Sequence, residues 1–580
     1  MNATRIKTVL LRQSRGRVRC ALSSIGKNEC IRLLAGYILV CCACCLYVVL
    51  TGNGLRALYG DTWIYTDMAK RIAFNHSLFH RDYVSIIIVP PLYPMLISVA
   101  YFFREQAAIF EAIKIVNILV YSSAFIPMFY LLKHYARLSA KQSFVSAILL
   151  LTNWCSLCYV IYISSEPLYC PLLVWFAWFL ADDKYLKGKF DLLAFIFLFS
   201  AIPLTRAVGN LVFPWFAAAV IVRLINIRRN NMAENSGKLI RRSIIVIATS
   251  ALIIVAYNIY LRSMLPKSQG DIFGGYVSYM LSGPLLSHFI FKPTYWFDRT
   301  AYSFSWILIG TGTVAVPLLL SIFIRNAKIL REDRLAFFLC FFLAGTFALV
   351  PLITAGDSYG LACERLYDPY LFLFIVMLLK YVRLFAGKDL VIALIITAMG
   401  VIIAPPLTKH ASCFALSQTH LWAVYGVLYG FGGAIFVSML FVLFRYKQYF
   451  INLFLIMMTI SIPVLYILDY LGGNKLGPNI FSFYDAHGIT KEVLSERASN
   501  PNMELIVDMS WKNSRGYCKY WEYYKILINL PMVPVYKDLT ICLSDQHSHG
   551  KRFMLLTHQN ITNAAKIVRG RDVALYIYDL

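Results

Sequence analysis

Long apolar runs, each close to the length of a membrane span, recur along most of this 580-residue chain. The first extends from Leu33 to Leu50, and similar runs return as far as Leu468. Because a helix needs roughly twenty apolar residues to cross a membrane, the pattern predicts about thirteen spans. We therefore expect a basic N-terminal segment over residues 1–32 and an α-helical membrane domain over residues 33–469.

Basic residues are concentrated in every second loop between these runs. The formal net charge is +25 and the mean hydropathy is +0.63, beyond the range of a soluble domain. Lys and Arg are enriched in cytoplasmic loops, so the alternation places the N-terminus in the cytoplasm and, with an odd span count, the C-terminus outside.

The first span lacks a cleavage site and is expected to remain as an anchor. The predicted location is the bacterial inner membrane, and the scattered basic runs do not indicate nucleic acid as a partner.

The last part of the chain, residues 470–580, changes to short apolar segments typical of strands. The segments ELIVDMS, RFMLLTH and ALYIYDL predict three strands, with a helix over Ile561 to Val568. The pattern indicates a small external α/β domain. Cys518 and Cys542 could form a disulfide in an oxidising compartment, although the sequence alone leaves this open.

The loop after the first span, residues 52–108, is unusually long and mixes charged and aromatic residues. Asp61 or Thr62 is a suitable N-cap for a short helix. A second helix is expected after Pro90-Pro91. Each helix has an apolar face, made in the first by Tyr65, Met68, Ala69, Ile72 and Ala73 and in the second by Leu92, Met95, Leu96 and Val99. Such helices tend to lie in the membrane interface, with aromatic side chains at headgroup depth, here Trp63, Tyr65, Tyr93 and Tyr101.

The spacing of Asp61, Tyr65 and Ala69, followed by PPLYP at residues 90–94, resembles the first external loop of GT-C glycosyltransferases. Protein O-mannosyltransferases and lipid A aminoarabinose transferases are the most similar families. The resemblance implies a GT-C-like polytopic α-helical fold. It also implies inverting transfer of a sugar from a polyprenyl-phosphate donor to a lipid, polysaccharide or protein acceptor on the external face.

The same resemblance implies roles for individual residues at the outer ends of spans. Asp61 would be the general base that removes the proton of the acceptor hydroxyl, and Glu166 in SSEPLY would lie beside the catalytic cavity. Arg206 in PLTRAVGN and Arg365 in CERLYDPY would supply fixed positive charge to the donor phosphate. Further contacts to donor or acceptor are expected from Tyr65, His80, Asp82 and Tyr93.

Plainer explanations exist for several of these residues. Asp61 can be an N-cap, and Glu166 can be a first-turn carboxylate stabilised by the helix dipole. Arg365 can be an interfacial anchor or a partner of Glu364. No motif specifies a cofactor, and a divalent metal ion between Asp61 and Glu166 stays open.

Two other functional classes compete with a transferase. A lipid-linked sugar flippase or other transporter should have internal repeats and ionisable residues near the bilayer midplane, whereas the polar residues here lie at span ends. A polysaccharide polymerase or ligase is expected to have its large external loop between the last spans. Here the long loop of charged and aromatic residues follows the first span.

Overall fold

The computed structural model describes residues 27–50, 59–75, 90–103, 105–152, 157–229, 236–264, 315–354 and 364–381, with a few positions up to 396. It also describes residues 489–500 and the strands between 503 and 578. Helices make up the first part and a five-stranded sheet the last. The predicted spans between residues 397 and 468, and Cys518 and Cys542, lie outside the described residues.

Helices account for most of the described residues up to 381. In chain order they are α1 (Lys27–Leu50), α2 (Tyr59–Asn75), α3 (Leu92–Ile97), α4 (Gln106–Ser122), α5 (Phe125–Tyr130), α6 (Ala140–Leu151), α7 (Glu166–Ala181), α8 (Lys189–Thr205), α9 (Val212–Arg229), α10 (Ser236–Met264), α11 (Ala315–Arg325), α12 (Lys328–Glu332), α13 (Arg334–Thr354), α14 (Glu364–Tyr381) and α15 (Ile489–Ser499).

Within the described residues, four stretches are long and apolar enough to cross a membrane. They are Asn28–Val49, Ala107–Tyr135, Val208–Ile227 and Gly237–Tyr257, and each coincides with a predicted span. One further apolar run, Phe144 to Tyr162, was expected to form a single span, and this prediction is wrong. α6 ends at Leu151, and Cys158–Ile161 forms a separate 3₁₀ turn.

The first loop does contain two helices, but their placement differs from the prediction. α2 begins at Tyr59, so neither Asp61 nor Thr62 is its N-cap. Its predicted face is confirmed, since Tyr65, Met68 and Ala69 are buried and Ile72 and Ala73 are half-buried.

The predicted apolar face of α3 is wrong. Met95 and Val99 are about half exposed, whereas α3 and the following 3₁₀ turn (Ser98–Phe102) bury Tyr93, Pro94, Ile97, Ala100 and Tyr101. Tyr65, Tyr93 and Tyr101 therefore lie in the protein interior. Their rings are not exposed as those of interfacial anchors would be. Packing between rings accounts for this, because Tyr65 meets Tyr93 edge to face with 5.2 Å between ring centroids.

The C-terminal sheet has the strand order β2-β1-β3-β5-β4. Its strands are β1 (Glu504–Asp508), β2 (Val535–Lys537), β3 (Phe553–Thr557), β4 (Lys566–Arg569) and β5 (Ala574–Tyr578). β2 and β3 run parallel to β1, whereas β5 is antiparallel to both β3 and β4. The three predicted strands are confirmed. The helix predicted over Ile561 to Val568 is wrong, because β4 pairs Lys566 to Arg569 with β5 as an edge strand.

Alternate residues of the sheet enter two separate hydrophobic clusters. One face places Leu505, Val507, Met554, Leu556, Leu575 and Ile577 in the same cluster as α15 and the first-loop residues Ile64, Met68 and Ile97. The opposite face forms a smaller cluster around Leu555 and Tyr576. The first loop and the C-terminal sheet thus share one buried core.

Candidate functional site

A buried ion pair joins the start of α7 to the end of α8. Glu166 opens α7, and Pro167 follows at the position where a missing N–H has no consequence for the helix. Arg206 follows α8 with an extended backbone, and its Nη1 donates to Oε1 of Glu166 at 2.6 Å. Glu166 is fully buried and the Arg206 side chain is 12% exposed. The structure therefore brings together two residues that the sequence indicated separately.

Tyrosines surround this ion pair and connect it to α14. Tyr169, one turn further along α7, has its hydroxyl 2.5 Å from that of Tyr370, and the guanidinium of Arg206 lies 5.6 Å from the centre of the Tyr169 ring. Arg365 lies in the first turn of α14, about 7 Å along the axis before Tyr370. The backbone of Arg365 therefore lies at the same end of the bundle as Glu166, while its side chain is outside the described residues.

The helix that contains Asp61 is attached to the segment leading into Glu166. The Thr62 hydroxyl donates to the backbone carbonyl of Ile163 at 3.2 Å, and both residues are fully buried. Asp61 precedes Thr62 in the first turn of α2. The backbone of Asp61 is thus held beside the segment 163–166. The side chain of Asp61, and the whole of His80 and Asp82, lie outside the described residues.

Asn117 on α4 organises the same region, and the sequence reasoning missed it. Its Oδ1 accepts from the Tyr93 hydroxyl at 3.1 Å, and its Nδ2 donates to the carbonyls of Val160 at 3.3 Å and Tyr162 at 3.0 Å. Asn117 and Tyr93 are both fully buried. A buried amide inside an apolar helix is a signal that the sequence did contain. These contacts make Tyr93 a structural link between PPLYP and the segment before Glu166.

A second group of buried charges lies further along α2. Asp67 and Arg71 form an ion pair at 2.9 Å, and Lys70 lies between them in the sequence. All three are at most 3% exposed. Burial lowers the pKa of Lys70 to about 8, even though the carboxylate of Asp67 acts in the opposite direction. Asp67 lies two residues beyond Tyr65 in the sequence and was expected on the opposite helix face, yet both side chains are buried.

The described residues contain no cluster of side chains suited to bind a metal ion. No group of three or more His, Cys, Asp or Glu side chains converges there. The polar groups at the start of α7 are instead an ion pair, hydroxyls and amides, which suit hydrogen bonding to a polar ligand.

Comparisons with known proteins found likeness only at the level of structure. No family model and no curated protein matches the chain. Among solved structures it resembles ArnT from Cupriavidus metallidurans bound to undecaprenyl phosphate, with 12% identity, 95% of this chain and 98% of that chain covered, and a TM-score of 0.48. ArnT in the apo state gives 11% identity, 93% and 97% coverage, and a TM-score of 0.45.

A third similar structure is the Archaeoglobus fulgidus oligosaccharyltransferase tethered with an acceptor peptide containing the NVT sequon. It is 10% identical, the match covers 89% of this chain and 64% of that chain, and the TM-score is 0.43.

Proposed function

We propose that the protein is an integral membrane glycosyltransferase that takes a sugar from a polyprenyl-phosphate donor. The acceptor is a lipid, glycan or protein hydroxyl at the external face of a bacterial inner membrane. The observation that supports this most directly is the buried Glu166–Arg206 pair, located where the helix containing Asp61 is attached to the segment before α7.

In the proposed reaction the acceptor hydroxyl attacks the anomeric carbon while Asp61 removes its proton. The bond between that carbon and the phosphate oxygen breaks, and polyprenyl phosphate leaves with the electron pair. A single displacement of this kind inverts the anomeric centre. The leaving phosphate requires no proton but does require fixed positive charge, which Arg206 and Arg365 supply.

Glu166 takes a positioning role in this scheme. A fully buried carboxylate 2.6 Å from a guanidinium holds the arginine in one orientation. Rigid placement matters because charge stabilisation by a preorganised donor needs no rearrangement during the reaction.

The test is sugar transfer by the full chain reconstituted in liposomes, with a panel of polyprenyl-phosphate hexoses and pentoses. Asp61→Asn is expected to fold with wild-type thermal stability and to reduce transfer by at least about 100-fold, the lower range for loss of a general base. Asp191→Asn is the matched control, since Asp191 also lies in the first turn of a helix, α8, whose start is at the opposite end of the bundle. Normal turnover by Asp61→Asn would remove the proposed base.

A further inference from the structure

Two consecutive serine hydroxyls directly precede the ion pair and are completely buried. Ser164 and Ser165 are each 0% exposed. Neither Oγ has a hydrogen-bond partner within the part of the chain that the structure describes. Ser165 is the N-cap of α7, yet its hydroxyl makes no capping bond.

An unpartnered buried hydroxyl is unfavourable in a folded protein. An N-cap serine normally avoids this by accepting a bond from the first turn of its helix. Here the backbone carbonyl of Ser165 accepts from the N–H groups of Leu168 and Tyr169, while the side chain is not used. Two such hydroxyls lie side by side in the sequence, next to Glu166. This arrangement indicates that they form hydrogen bonds with a ligand.

The charge around the serines favours a neutral ligand group over an anion. The Glu166 carboxylate directly follows the two serines in the chain and would repel phosphate oxygens placed beside them. A serine hydroxyl both donates and accepts hydrogen bonds, as the hydroxyls of a sugar do.

We infer that Ser164 and Ser165 bind hydroxyl groups of the sugar of the polyprenyl-phosphate donor. This inference rests on the proposed function, in which Arg206 contacts the donor phosphate. The sugar is bonded to that phosphate, so its hydroxyls lie in the space next to Arg206 and Glu166. The two serines thereby contribute to the choice of donor sugar.

The experiment uses the full chain in nanodiscs and two ligands, namely the donor that gives transfer in the panel and the same polyprenyl phosphate without its sugar. Ser164→Ala/Ser165→Ala is expected to weaken binding of the sugar-bearing lipid about 10-fold, the effect of losing one or two hydrogen bonds. Binding of the sugar-free lipid is expected to stay unchanged. Without lipid, the melting temperature should equal or exceed that of the wild type, because unpartnered hydroxyls are removed.

Two control variants separate ligand binding from a role in folding. Ser146 on α6 is also buried without a partner among the described residues, so Ser146→Ala should likewise give a melting temperature equal to or above that of the wild type, but should leave the binding of both lipids unchanged. Ser200 on α8 donates to the carbonyl of Ile196 at 2.8 Å, so Ser200→Ala should lower the melting temperature without selective loss of the sugar-bearing lipid.

Three outcomes would overturn the inference while leaving the proposed function intact: unchanged binding of both lipids, equal loss of both lipids, or a fall in lipid-free melting temperature in the double serine variant. Equal loss would instead assign the serines to the phosphate. Absence of transfer and of lipid binding by the wild-type protein would overturn the proposed function and the inference together.

Discussion

The two ends of α7 each have a carboxylate, and the surroundings of these carboxylates differ. Glu166 begins the helix, and Asp183 lies just beyond its last residue, about 24 Å away. Asp183 is one-third exposed and accepts from Arg223 at 2.9 Å and from Arg334 at 2.8 Å. Glu166 is fully buried with Arg206, next to two hydroxyls that the described protein leaves unpartnered.

Two other carboxylates towards the Asp183 end each accept several hydrogen bonds from the protein. Asp333 accepts from the hydroxyls of Tyr135 and Tyr381, from Lys380 and from two backbone N–H groups. Asp389 accepts from Ser321 at 2.9 Å and from Arg325. Such saturated carboxylates connect helices. The contrast is between carboxylates saturated by the protein and the Glu166 end, where two adjacent hydroxyls have no partner among the described residues.

The largest effect is expected from removing the arginine of the buried pair. Arg206→Met leaves Glu166 buried without its guanidinium, which should destabilise the protein by about 3–5 kcal/mol and abolish transfer. Glu166→Gln/Arg206→Met should recover most of the stability, because no buried charge is left, but not the activity. The measurements are thermal unfolding in detergent and transfer in liposomes.

Arg223→Met provides the matched control at the opposite end of α7. Asp183 keeps Arg334 and is partly exposed, so we expect a loss of no more than about 1 kcal/mol and wild-type transfer per folded molecule. A larger effect on activity from Arg223→Met than from Arg206→Met would reverse the comparison.

Lys70 gives a pH-dependent test on the first-loop side. Its folded pKa of about 8 lies below the value of 10.5 for a free lysine, so between these values the unfolded chain binds more protons. The free energy of unfolding should therefore rise with pH across this window, by on the order of 3 kcal/mol. Below pH 8 Lys70 is charged in both the folded and the unfolded state, so the whole cost of burying its charge lowers the free energy of unfolding. Lys70→Met should lack this rise when unfolding of both proteins is followed from pH 7.5 to 10.5, and parallel curves would contradict the buried placement of Lys70.

Asp333→Asn tests whether the opposite end is only structural. The amide has one acceptor oxygen in place of two, so it can serve either the backbone N–H groups or the tyrosine hydroxyls, and it loses the ionic contact with Lys380. The expected loss is about 2 kcal/mol. The transfer rate per folded molecule should not change. A reduced rate at unchanged stability would assign a functional role to that end.

The smallest effect is expected from Tyr93→Phe. It removes the hydroxyl bonded to Asn117 and should destabilise by about 1 kcal/mol. Since the Tyr93 hydroxyl is already bonded to Asn117, we expect the KM for donor to be unaltered. A rise in KM with no change in stability would instead make Tyr93 a substrate contact, as the sequence motif indicated.

The sequence alone determined the features that depend on local pattern and residue chemistry. Apolar runs predicted the four long helices, alternation predicted three of the strands, and unusual polar residues at span ends drew attention to Glu166 and Arg206. The inferences about helices and strands hold because hydrophobic periodicity and length reflect the environment of each segment separately.

Only the tertiary structure decided which segments meet. The Glu166–Arg206 pair joins residues 40 positions apart, and Asn117 reaches carbonyls 43 and 45 positions away. Packing between the rings of Tyr65 and Tyr93 determines the buried face of α3. The segment 566–569 is a strand because its backbone pairs with the free edge of β5. A side chain's partners depend on which helices and strands become neighbours, and no local periodicity contains that information.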